Sequence, residues 1–471
     1  MKPETKTQVP YITHLAQRAG FGLSAREFAR MRNWKPSKLL NFLLKDAKDF
    51  CPLEVLQQDD IRLLVQKTNN KALRNQRKKQ SKEKIKELNL QWIQRMAGGQ
   101  GRLREKMTLF WHNHFACRSN NAHLVQMQNN TLRKYALGNF GHLLLAVAKD
   151  PAMLQFLNNR QNRKAHPNEN FARELLELFT IGRGHYSEED IKNAARAFTG
   201  WTFDQEGKFV FRKRHHDFGK KDFMGKRGNF GGEDILQIIL ENRNTARFIT
   251  EKIYKHFVNH VPEPEHVQSL AKAFYESEYD ITRLLKAVFS ADWFYDTSNR
   301  GNFIKSPVAL LVGLQRHLNQ TFEPEEITLF LQKVLGQLLF YPPNVGGWPE
   351  GQAWIDSSSL TLRLSLAGFF LNQRPLQVTS KEDGDMNGLK LKRKFQQARL
   401  AVNWKEITSF SSSNTSEKRL YQTSEFLLGH LPDEKTLQLL NAYVETNASS
   451  EEEKAKLMFV SFMSLPEYQL S

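Results

Sequence analysis

Residues 170–200 read NFARELLELFTIGRGHYSEEDIKNAARAFTG. Phe171, Leu175 and Leu178 recur at four- and three-residue spacing, which predicts one buried face of a helix over 170–179. Gly182 and Gly184 end that helix. Ser187-Glu188-Glu189-Asp190 then forms a capping box, with the serine oxygen over the first amides and Asp190 at the third helical position. Ile191, Ala194, Ala195 and Phe198 supply the buried stripe of the next helix, and Gly200 stops it. Two capped amphipathic helices on a short link set the expectation for the whole chain, a mainly α fold.

Beyond Trp201 the period changes. TFDQEGKFVF, residues 202–211, alternates around a turn at Gln205 to Gly207 and reads as a β-hairpin, expected to hold the only strands. A glycine-rich loop is expected from Gly219 to Gly232. Helical periodicity governs the rest: short helices over 12–60 with Ser24 as an N-cap, a long polar helix from Lys67 to Met96, and apolar helices at Leu103–Phe115 and Thr131–Ala148. The fold class is therefore a multi-helix globular bundle with one small β-hairpin insertion near 202–211. Short loops favour one main helical domain over 10–370. A polar, serine-rich connector follows over 371–422, and a C-terminal helical extension over 423–471 packs on the main domain.

The chain's 471 residues can bury a large core without staples, and 33 phenylalanines against 11 tyrosines promise one. Two cysteines, Cys51 and Cys117, exclude a disulfide framework and a cysteine-only zinc site. Apolar runs such as Val308 to Leu314 fall far short of the roughly 20 residues a membrane span needs. The opening MKPETKTQVPYITHLAQRAGFG shows no secretory pattern, so a cytoplasmic location without membrane association is expected. The net charge of +18 raises the local concentration of anions without choosing among them. Residues 67–106 carry thirteen basic side chains against three acidic ones. That helix is a candidate polyanion or nucleic-acid surface, although such runs usually just keep a face wet.

Several segments together are similar to one family: EKMTLFWHNHF (105–115), NRKAHPNENFARELLELFTIG (162–182), YSEEDIKNAARAFTGW (186–201), HHDFGKKDFMG (215–225), IKSPVALLVGL (304–314), LGQLLFYPPNVGGWPEGQAW (335–354) and SLPEYQL (464–470). The chain resembles the bacterial family catalogued as domain of unknown function 1800. The resemblance identifies kin without a chemistry. It also implies a possible partner class, since members are often encoded beside a sulfatase-like family, number 1501 in the same catalogue.

The residues themselves suggest several sites. His112 and His114 flank Asn113 in WHNHF. Residues two apart on a helix point about 200° from each other, so both face one metal only if the helix ends there. Glu169, Arg173 and Glu177 repeat every four residues as an ion-pair ladder, with Glu174 on a neighbouring face. The functional expectation is that Glu174 and the His216-Asp217 pair act catalytically beside His112 and His114 as ligands of a divalent transition metal. Arg173, Lys220 and Lys221 are candidate anion-binding residues. Trp348 and Trp354, on a Pro/Gly loop, either present a partner surface or pack down as a lid. His256 and His260 stand four apart but lack the metalloprotease glutamate.

Three function classes follow. One is a metal-assisted hydrolase or oxidoreductase using the His/Glu/Asp set. Another is a non-catalytic assembly partner of a sulfatase-like protein. The third is a polyanion binder working through the basic helix.

Overall fold

The computed structural model describes residues 8–66, 68–372, 402, 404–407 and 415–471. It is 64% helical, with two small antiparallel two-stranded sheets. The deciding stretch folds largely as read. The helix Asn170–Glu174 continues into a wider π-helical segment, Leu175–Thr180. The helix Glu188–Ala197 starts on a complete Ser187/Asp190 capping box. Ile191, Ala194, Ala195 and Phe198 are fully buried.

Two expectations need correction. The expected helix Thr131–Ala148 is two helices, Ala122–Tyr135 and Phe140–Ala148. Leu137-Gly138-Asn139 interrupts it, because the Asn139 carboxamide caps the second helix by accepting from the His142 amide. The hairpin β1 (Trp201–Phe203) and β2 (Phe209–Phe211) is present in the register Thr202 opposite Val210. A second hairpin lies in the glycine-rich stretch, however: β3 (Lys221–Phe223) pairs with β4 (Lys226–Gly228). Its turn, Met224-Gly225, has positive φ at both residues, the geometry tight hairpins prefer. Alternation was hidden there because the buried partner of Phe223 on the same face is a lysine, Lys221.

The long helix Lys71–Gly98 buries Ser81, Ile85, Leu88, Asn89, Trp92, Ile93 and Met96, all but Ser81 in its second half. Its first half carries its lysines outward into solvent. One hydrophobic cluster runs from Val9 to Tyr468, so the C-terminal helices share the main core. Thr13 Oγ1 donates to the Glu425 carbonyl at 3.1 Å, and Leu470 bridges Ile304. The helix Ser416–Leu427 begins inside the segment expected as connector. The remainder of that connector lies mostly outside the described residues. No helix among the described residues is long and apolar enough to cross a membrane. Both cysteines are free thiols.

Candidate functional site: an enclosed cationic cavity

The helix Arg102–His114 is buried along almost its whole length, charged residues included. Burying a charge is costly unless it is paired. Glu105 meets this requirement: it accepts from Arg133 Nε at 2.8 Å and from Trp92 Nε1 at 2.8 Å. Lys106, the next residue, points elsewhere. Its Nζ lies 5.0 Å from the Phe21 ring centroid and has no hydrogen-bond partner among the described residues. Burial, then Arg18, push its ammonium down to about 7.

Lys106 faces a cavity walled also by Arg18, Phe303, Lys305, His256 and Glu350. The room for centres of water-sized groups is about 40 Å³, enough for roughly three waters or one small oxyanion group. Arg18 ends the first helix, Val9–Arg18. Its Nη2 donates to the Asn299 carbonyl at 3.0 Å and to Asn302 Oδ1 at 2.6 Å. Nε and Nη1 are buried with no hydrogen-bond partner among the described residues, and the whole residue is only 2% exposed. Burial lowers its pKa to about 9. Lys305 donates to the Tyr468 carbonyl at 2.7 Å and sits 4.3 Å from that residue's ring centroid. Burial, then Lys106 and Arg363, lower it to about 7.

Glu350 is the carboxylate side chain on this wall, about one-third exposed. Its Oε1 accepts from Asn113 Nδ2 at 3.1 Å and lies 3.5 Å from His256 Nδ1, too far for a strong hydrogen bond. Burial raises the Glu350 carboxyl, but His256, Asn113 and Lys252 outweigh it and hold the group below its usual value. Burial lowers His256, against the opposing pull of Glu350.

The expected site residues do not gather at this cavity. His112 is buried among Trp92, Phe340 and Trp348, and its Nε2 accepts from the Phe340 amide at 3.1 Å. Burial, then Arg133, lower its pKa to about 3, so it is neutral at physiological pH. His114 Nε2 bonds to the Phe179 carbonyl at 3.0 Å, at the end of the widened helix. Both imidazoles join elements of the core. Glu174 is half-buried, and burial, then Glu177, raise its pKa. His216 Nδ1 donates to the Thr199 carbonyl at 2.9 Å. Asp217 accepts from Arg196 Nε at 2.7 Å. The set therefore does not fit a shared metal. Among the described residues, no group of three or more His, Cys, Asp or Glu is arranged to hold one.

The three expected anion-binding residues occupy different settings. Arg173 is surrounded by Glu169, Glu177 and Glu188, the last at 2.8 Å. Lys221 is buried and donates to the carbonyls of Asp217 and Gly219 at 2.6 and 3.0 Å, so it staples its own loop. Lys220 is exposed. Trp348 and Trp354 are 4% and 5% exposed, so their loop packs down instead of presenting its indoles. Asn113 holds it there, accepting from the Trp348 amide at 2.7 Å. Gly347 has φ +84, and a Cβ on it would collide with Asn113. Sequence reasoning therefore weighed the two histidines of WHNHF and passed over the asparagine between them. It also missed Arg18, Lys106 and Lys305. The available signal was one lysine within each of two family-like segments, EKMTLFWHNHF and IKSPVALLVGL.

These features define a mainly α protein with a small cationic cavity. Residues 14–470 match the family model described as Protein of unknown function (DUF1800), and the chain belongs to that family. No curated protein and no solved structure matches it.

Proposed function

We propose that this protein binds a small molecule bearing a carboxylate, phosphate or sulfate group in the cavity between Arg18, Lys106 and Lys305. The observation that carries this reading is the cavity wall shared by three buried cations, Arg18, Lys106 and Lys305, with Nε and Nη1 of Arg18 lacking a hydrogen-bond partner among the described residues. Each unpaired buried charge costs on the order of several kcal/mol, and two lysines on the same wall compound that cost. An anion removes it by supplying acceptors to all three. The Glu350 carboxylate does not serve instead, because its hydrogen bond is to Asn113 and none joins it to Arg18, Lys106 or Lys305 among the described residues. This reading replaces the metal-assisted site as the basis for any catalysis.

The test is thermal unfolding of the full chain with sulfate, phosphate, acetate and pyruvate. An anion present at a hundred times its Kd adds about 2.7 kcal/mol of stability. Sulfate and phosphate also stabilise proteins by exclusion from their surfaces, so Arg18→Met and Lys305→Met are run in parallel. The reading expects at least one anion to raise the wild-type midpoint and to raise it much less in both variants. An equal rise in all three proteins, or none in any, contradicts it.

A further inference from the structure

The cavity wall carries two buried lysines in unequal circumstances. The Lys305 amine is engaged, since it donates to the Tyr468 carbonyl at 2.7 Å over that residue's ring. The Lys106 amine has the Phe21 ring beside it and no hydrogen bond among the described residues. A lysine that is desolvated beside other cations loses its proton readily and becomes a nucleophile toward carbonyl carbon. Arg18, meanwhile, keeps free donors for a carboxylate. A molecule that joins a carboxylate to a carbonyl in a few atoms would match both features in a cavity this small.

We infer that Lys106 forms an imine with the carbonyl carbon of a small 2-oxo acid whose carboxylate is held by Arg18 and Lys305. The inference rests on the anion-binding reading above and specifies its ligand. The Lys106 lone pair attacks the carbonyl carbon, and the carbon–oxygen π pair moves onto oxygen, which takes a proton. The resulting carbinolamine loses a proton from nitrogen. Its hydroxyl is protonated and leaves as water with the bonding pair, and the C=N bond forms. No oxidant or reductant is consumed. His256 lines the same cavity, neither of its ring nitrogens has a hydrogen-bond partner, and Glu350 lies 3.5 Å behind it. The pKa of Lys106, pushed down to about 7 by burial and Arg18, leaves a large neutral fraction at physiological pH.

The experiment treats the full chain with pyruvate and sodium cyanoborohydride and maps any reduced adduct by peptide mass spectrometry. Lactate, which has no ketone, is the control. Displacement of sulfate by pyruvate is measured alongside. The expected result is one adduct per chain, on Lys106, absent with lactate, absent in Lys106→Met and retained in Lys305→Met at a reduced yield. The mapping on wild-type protein needs no variant to fold. Adducts spread over surface lysines, or an adduct on Lys305, overturn the inference. If pyruvate displaces sulfate but no adduct forms, the imine is wrong while the anion-binding reading stands. If neither pyruvate nor sulfate binds, both fail.

Discussion

Asn113 ties together two distant motifs: its Oδ1 accepts from the Trp348 amide at 2.7 Å, and its Nδ2 donates to Glu350 Oε1 at 3.1 Å. One carboxamide thus seats the Pro/Gly/Trp loop and orients the carboxylate on the cavity wall. Neither flanking histidine does this.

Replacing Asn113 with leucine is expected to destabilise the protein by about 1–3 kcal/mol, because the Trp348 amide is left without an acceptor. Urea unfolding gives the size of the effect. Hydrogen exchange gives its location, with the Trp348 amide losing protection while the Glu188–Ala197 helix keeps its own. Unchanged exchange at Trp348 would show that another group holds the loop.

The Asp190 carboxylate serves two elements. Its Oδ2 accepts from the Ser187 amide at 2.8 Å, closing the capping box, and its Oδ1 accepts from the Met224 amide at 2.6 Å in the second hairpin. Asp190→Ala should therefore cost more than the roughly 1 kcal/mol typical of a lost cap. Denaturant midpoints of Asp190→Ala and Ser187→Ala compare the two. The serine variant, which leaves the Met224 contact in place, should be the milder.

Lys106 is expected to make the anion-free protein less stable at neutral pH than Lys106→Met. Its folded pKa, about 7, is depressed below the ordinary lysine value. Between those two values the unfolded chain binds more protons, so stability rises with pH across that window. Below pH 7 both states are protonated and the full penalty applies, on the order of a few kcal/mol. The titratable and charged groups that share the cavity wall with the amine are Arg18, Lys305, His256, His317, Glu350 and the terminal carboxylate of Ser471. Stability curves from pH 6 to 10 in chloride buffer should show the advantage of Lys106→Met shrinking as pH rises. A constant or growing advantage contradicts the assignment.

Reversing the exposed charges Lys78, Lys79 and Lys82 to glutamate should move stability by no more than about 0.5 kcal/mol, as for other surface changes. Anion-induced stabilisation in the cavity should also persist. Salt-dependent binding of random DNA by the wild type that disappears in this variant would favour the polyanion reading for the helix.

Much of the fold was legible because apolar periodicity and caps are local. Ser24 and Ser187 each cap the helix that follows them, as their positions predict. The second hairpin was not legible because Lys221 occupies an inward position, where only tertiary contacts reveal that its ammonium is satisfied by carbonyls. The candidate site was obscured for the same reason. Arg18, Lys106 and Lys305 are far apart in sequence, and a lysine reads as surface until the core is seen to close around it. Conversely, His112 and His114 drew notice as ligands, although each spends a ring nitrogen on a backbone group.

The most direct measurement is a crystal of the full chain soaked in selenate, with the anion located by its anomalous signal. The account predicts a peak inside the cavity, within hydrogen-bonding reach of Arg18 Nε or Nη1 and of the Lys106 or Lys305 ammonium. Selenate found only on exposed lysines, with the cavity holding water alone, would contradict it.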